Sequence, residues 1–280
     1  LYAVQDAVRL YTGGRWRRPS DDAARPQYPS VGANINYYLA EEATDEMRVE
    51  IFDDNGTLVR EIVPETPKPE QDSEDPDDTM ESPEAPPGKP SPDALRTTAG
   101  MHRVVWDLRH TGPAERRVKK EGEENDDRSK LRGPMVPPGT YEARLQVGEW
   151  SARQRFDVIM DPRVEASGIG PYEVTVQTNF ALAVRDTITR ARDVADRIEE
   201  ALEGLNRGEQ RERLEEIKAR LIANEIRYSQ PKLLDQLEYL YRNHIGADQL
   251  PGADARRRFT VLEDELAVLV DDLDLALNTN

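Results

Sequence analysis

Apolar and polar positions alternate with a period of two along much of the first 160 residues. In Gly100–Arg109 (GMHRVVWDLR), Val104, Trp106 and Leu108 alternate with Arg103, Val105 and Asp107; in Pro137–Val147 (PPGTYEARLQV), Tyr141, Ala143, Leu145 and Val147 do the same after a Pro-Pro-Gly turn. This period sets one face of a strand on a core, and the two runs are expected to be strands of one sheet. Ala33, Ile35, Tyr37 and Leu39 mark an earlier strand, and Met47, Val49 and Ile51 mark the next. Asp53-Asp54-Asn55-Gly56 then leads into Leu58–Val63, and Asn-Gly between two such runs predicts a hairpin whose type I′ turn has φ > 0 at both central residues. Gly148-Glu149 predicts a second hairpin into Trp150, Ala152, Gln154, Phe156 and Val158, closed by Asp161-Pro162-Arg163.

From Pro171 the period changes to three and four residues. Val176, Phe180, Ala183/Val184, Thr187/Ile188, Ala191, Val194/Ala195, Ile198 and Leu202/Leu205 predict one long amphipathic helix ending near Asn206–Gly208. Leu214, Ile217, Leu221 and Ile222 predict a second helix running to about Tyr228, where Ser229-Gln230-Pro231 breaks it. A third covers Leu233–Asn243 and a fourth roughly Ala253–Leu277. Short connections favour antiparallel neighbours. The fold class expected is therefore α+β, an antiparallel immunoglobulin-like β-sandwich of six or seven strands followed by an antiparallel bundle of three or four helices. The domains expected are 1–29 as a connector from an upstream domain, 30–165 as the sandwich, and 166–280 as the bundle.

Two charged stretches interrupt the sandwich pattern. Residues 64–98 are dense in Pro, Glu, Asp and Ser, too poor in apolar area to offset their ordering entropy, and 113–133 separate the two strands quoted first. With 55 acidic against 38 basic residues, the formal charge of −17 argues against nucleic acid, which needs a basic patch. No apolar run approaches a membrane span. No cysteine occurs, which excludes disulfides, thiolate metal sites and a cysteine nucleophile. The chain begins at Leu1 rather than Met, as expected of a processed product or of one domain of something longer.

A search for chemistry yields no catalytic, cofactor-binding or metal-ligating residue. His102, His110 and His244 do not cluster at a zinc spacing. Asp72–Asp78 lacks the glycine and spacing of a calcium loop, and Gly13-Gly14 and Gly168-Ile169-Gly170 are too short to cradle phosphate. Asp107 reads as a carboxylate capping turn amides. Trp106 and Trp150 read as packing, and Trp16, in its loop, is the best placed of the three tryptophans to stack on a sugar. Arg190, Arg192, Glu199 and Glu200 read as solvated helix faces with some ion pairing, worth roughly a few tenths of a kcal/mol each.

The segments GANINYYL, VEIFDDNGTLVREI, GMHRVVWDLR, PPGTYEARLQVG and DPRV, in this order, resemble the C-terminal region of large bacterial proteins whose N-terminal part is a sortilin-like β-propeller of BNR/Asp-box repeats, often labelled glycosyl hydrolases or exo-sialidase-like. The sandwich portion is also similar to the immunoglobulin-like domain of the flagellar hook-capping protein, through Ile51-Phe52-Asp53, Gly56, Val59-Arg60, Gly100-Met101-His102 and Trp106-Asp107. Gln230–Leu237, Tyr239-Leu240-Tyr241 and Asp248–Pro251 extend the first resemblance into the helices. The resemblance implies an extracellular, periplasmic or envelope-associated module without catalytic residues of its own, whose partner is a protein: the parent propeller or another subunit. The alternative it implies is an accessory domain of a carbohydrate-active enzyme that holds glycan.

Overall fold

The structure, a computed structural model, describes residues 1–11, 31–64, 94–117, 130–205, 207–222 and 230–278. The bulk of both charged insertions, Asp72–Asp78, Gly13-Gly14 and Trp16 lie outside the described residues. Strands and helices coexist, so the fold is α+β, and the chain divides into two compact units. The first comprises Leu1–Arg109 and Pro138–Asp161, and the second His110–Pro137 and Pro162–Asn280.

Among its described residues the first unit holds seven strands: β1 (Ala7–Val8), β2 (Ala33–Leu39), β3 (Met47–Asp53), β4 (Leu58–Ile62), β5 (Gly100–Trp106), β6 (Gly139–Val147) and β7 (Trp150–Ile159). They form a curled five-stranded sheet in the order β1-β7-β6-β3-β4 and a two-stranded sheet, β2-β5. The two strands expected to share a sheet do not: β5 pairs with β2, and β6 lies between β3 and β7. A strand's own alternation fixes which of its faces is buried but not its neighbour, which is a non-local choice. The larger sheet is mixed rather than purely antiparallel, because Ala7 and Val8 run parallel to Val158 and Ile159. Residues 1–11 also reach β2, where the Tyr2 amide donates to the Asn36 carbonyl at 3.0 Å.

The core of this unit lies between the sheets. Trp106 is 1% exposed and meets the rings of Tyr141 and Phe156 at centroid distances of 5.5 and 6.1 Å, while Ile35, Val49, Ile51, Ala143 and Leu145 are buried around it. The Trp106 indole N–H donates to the Arg109 carbonyl at 2.9 Å, closing a turn in which Leu108 is fully buried. Leu108 takes φ 58°, the one positive φ outside glycine among the described residues. For a bulky residue this is a strained backbone conformation, held by the packed side chain and the indole bond.

The β3–β4 hairpin forms as expected but with a different turn. Only Gly56 has positive φ, 77°, and its amide donates to the Asp53 carbonyl at 3.0 Å, so Asp54, Asn55 and Gly56 make a three-residue loop in place of the two-residue type I′ turn. The Asp53 carboxylate accepts from the Asn55 and Thr57 amides at 3.0 and 2.8 Å, and this side-chain turn competes successfully with the Asn-Gly preference. The register slips by one residue between Ile51 and Phe52, which leaves Val59 buried at a bulge. The Gly148-Glu149 hairpin has the two-residue turn expected, pairing Val147 with Trp150.

At the start of β2, Gly32 has φ 131°, and a Cβ there would sit 2.2 Å from the Trp106 carbonyl oxygen. Gly32→Ala is expected to destabilise the protein by about 1–3 kcal/mol through this clash and the unfavourable φ. A thermal melt reads it as a lowered midpoint; an unchanged midpoint would show that β2 does not approach β5 this closely.

The second unit contains α1 (Pro162–Ala166), α2 (Pro171–Glu203), α3 (Glu209–Leu221), α4 (Leu233–Ile245) and α5 (Ala253–Asn278). α2 through α5 share one core, including Val184, Ile188, Ile198, Leu214, Leu237, Leu262 and Leu273. The α2 stripe begins at Val174 and Ala181 rather than at Val176 and Ala183, and Ala183 faces solvent. α3 stops at Leu221, short of Tyr228: Ile222 is extended, and 223–229 lie outside the described residues. The described ends of the second insertion belong to this unit and lie along α2. Thr178 Oγ1 donates to the Met135 carbonyl at 3.0 Å, the Ala114 amide donates to Thr189 Oγ1 at 3.1 Å, and Leu131 joins the helical core. Tyr241 of α4 donates to the Arg132 carbonyl at 2.7 Å.

Candidate functional site

The sites considered from the sequence scatter rather than converge. His102 stacks at 5.4 Å on Tyr37, and its Nε2 lies 2.6 Å from the Thr98 carbonyl. His244 is buried on α4, with Nδ1 2.7 Å from the Leu240 carbonyl and its ring against Phe180. His110 lies in the other stretch of the helical unit, before Thr111. Gly170 precedes α2, and its amide donates to Glu173 of the same helix at 2.9 Å, so this N-terminus is capped from within the chain. Trp106 is core. Trp150 is 54% exposed beside its hairpin turn. Among the described residues no group of three or more His, Asp or Glu side chains is arranged to hold a metal ion, and no helix is long and apolar enough to cross a membrane.

The expectation that Arg192 and Glu199 belong to solvated faces is corrected. Their side chains are only 12% and 14% exposed, because each is drawn into ion pairs between elements: Arg192 with Glu238 at 2.7 Å, and Glu199 with Arg116 at 3.0 Å and Lys218 at 3.2 Å. Arg116 Nε also donates to Asp196 Oδ1 at 3.1 Å, and the Arg117 amide donates to Asp196 Oδ2 at 2.7 Å. Burial pushes the Glu199 carboxyl up, but hydrogen bonds from Arg116 and Lys218 outweigh it and hold it below the usual carboxylate range. This cluster pins residues 116–117 to α2. Every carboxylate in it already has a cationic partner, which suits a clasp better than an acid or base.

A site with room for a ligand lies where the sequence analysis placed none. A cleft of about 230 Å³ opens on the outer face of the five-stranded sheet, lined by Phe52, Asp53, Asp54, Glu142, Arg144, Arg153 and Arg155 among others. Phe52, Glu142, Arg144, Arg153 and Arg155 occupy outward positions of β3, β6 and β7, the half of the alternation opposite the one that builds the core, while Asp53 and Asp54 come from the end of β3 and the turn after it. Arg144 packs its guanidinium over the Phe52 ring at 4.4 Å and reaches Glu50 at 3.4 Å, while Arg153 and Arg155 each stand 3.6 Å from Glu142. A signal was available in the sequence. A two-residue turn at Gly148-Glu149 fixes the register of the hairpin, and that register places Arg144 opposite Arg153 and Glu142 opposite Arg155.

Behind this face the phenols stay neutral. Burial pushes Tyr141 strongly up, with the Asp53 charge adding to it, and burial likewise raises Tyr37 despite its backbone partner Arg96.

No protein-family model, no curated protein and no solved structure matches the chain.

Proposed function

We propose that residues 1–280 form a non-catalytic interaction module, an immunoglobulin-like sandwich with a helical bundle. In this reading it is the C-terminal part of a larger secreted protein and docks on that protein's own sortilin-like β-propeller. The observation that carries the reading is the strand order. An immunoglobulin-type sandwich sets its second strand beside the fifth in one sheet and its third beside the sixth, which neighbours the seventh, in the other, and the variable type adds a strand outside the third. Here β2 pairs with β5, and β7-β6-β3-β4 run side by side in that order. The parallel β1 is an addition at the sheet edge.

The positions of the motif residues support this reading. Ile51 and Trp106 are core, Asp53 and Gly56 make the turn, Val59 fills the bulge and His102 packs on Tyr37. Each of these roles is structural, which supports the reading of the chain as a scaffold. The face favoured for docking is that of the two-stranded sheet. Tyr38 and Met101 stand directly opposite each other on its outer side, 57% and 63% exposed, a paired apolar surface that excludes water once covered. The glycan-holding reading is favoured by the exposed Trp150 ring, an accessible stacking surface, although Trp150 does not line the cleft.

The docking is tested by hydrogen exchange of the chain with and without the purified propeller region. Protection is expected in peptides covering Ala33–Leu39 and Gly100–Trp106, and Met101→Lys should abolish it. Exchange unaffected by the propeller would remove the docking.

A further inference from the structure

We infer that the cleft on the outer face of the five-stranded sheet is an oxyanion site, in which Arg144, Arg153 and Arg155 take a carboxylate-bearing ligand. The first ground is register. Arg144 and Arg153 are direct cross-strand neighbours, and like charges in that position repel unless something compensates them. The chain compensates them incompletely. Arg153 and Arg155 share a single carboxylate, Glu142, at 3.6 Å each, longer than a charge-assisted hydrogen bond. Glu50 engages Arg144 through one terminal nitrogen only, at 3.4 Å, and the Arg144 Nε is buried without a hydrogen-bond partner. A buried donor without an acceptor is costly, and in native structures it calls for an explanation.

The second ground is preorganisation. Phe52 stacks on the Arg144 guanidinium at 4.4 Å and Glu50 tethers it, so its planar donor edge is fixed before any ligand arrives. The third is competition within the cleft. The Asp53 carboxylate is occupied by the Asn55 and Thr57 amides and does not swing across to the arginines. A planar carboxylate matches the guanidinium forks, whereas a phosphate dianion meets more repulsion from Glu142 and Asp54, which also line the cleft.

The site is separate from the docking face on β2 and β5, so Met101→Lys should leave it unaltered. The experiment is an NMR titration of the whole chain with acetate, and separately with inorganic phosphate at matched ionic strength, following the arginine Nε–Hε resonances. The Arg144 resonance should move saturably, and acetate should bind more tightly than phosphate. Arg153→Gln with Arg155→Gln changes side chains that are 57% and 72% exposed, so the thermal midpoint should hold while acetate binding weakens by roughly tenfold or more. Tighter binding of phosphate would overturn the carboxylate assignment. No saturable movement with either anion, or the same affinity in the double variant, would overturn the site.

Discussion

Trp106→Ala is expected to cost about 3–5 kcal/mol of stability, the range for deleting a large aromatic side chain from a packed core. Trp106 is the largest of the fully buried side chains among the described residues. Its ring bridges the two sheets through Tyr141 and Phe156, and its indole N–H holds the turn that keeps Leu108 at positive φ. The substitution removes packing, a hydrogen bond and the restraint on a strained residue together, against a total stability of about 5–15 kcal/mol for a typical domain. Denaturant titration gives the size, and hydrogen exchange should show β2, β5, β6 and β7 losing protection together. Trp106→Phe keeps the ring contacts and should cost clearly less. A loss under about 1 kcal/mol for the alanine variant would mean that the sheets are not joined through this side chain.

Asp196→Ala is expected to destabilise the helical unit by about 2–4 kcal/mol. Asp196 is 2% exposed and accepts from both Arg116 and the Arg117 amide. Its loss leaves two donors short of a partner, and breaking a buried ion pair from one side is more damaging than never having had it. The neighbouring Glu199 adds a pH dependence of definite sign. Its carboxyl is held below the usual range, so the folded protein binds that proton less readily than the unfolded chain. Its contribution is fully present above the unfolded value of about 4.3 and is lost as pH falls through the lower folded value. Acid titration of the unfolding free energy should therefore show a fall below about pH 4.5 that is smaller in Glu199→Gln. Equal slopes in the two proteins would contradict the role assigned to the cluster.

Much of this architecture was legible from periodicity alone. The two-residue alternation marked β2 through β7, and the three-to-four spacing located α2, α4 and α5 within a few residues of their ends. What one strand's pattern does not encode is its neighbour, so β5 and β6 were placed in one sheet although Trp106 faces Tyr141 from the other. Residues 1–11 read as part of a connector, and nothing in their pattern gave the parallel pairing of β1 with β7. The Asn55-Gly56 turn type was misjudged because Asp53, two residues earlier, captures the loop amides. α3 ends early because β-branched Ile222 turns extended after Leu221. The burial of Arg192 and Glu199 depends on Glu238, Arg116 and Lys218, the nearest of them nineteen residues away. The arginine cleft was the avoidable omission, since hairpin register and outward alternation together specify it.

The proposed place of residues 1–280 in a propeller-bearing protein is tested most directly by intact-mass analysis with peptide mapping of the native material. The predicted result is one polypeptide, larger than 31.8 kDa, in which propeller peptides of BNR/Asp-box type are continuous with Leu1. A native protein of 31.8 kDa that runs alone as a stable monomer would contradict the docking role and leave the arginine cleft as the surface to pursue.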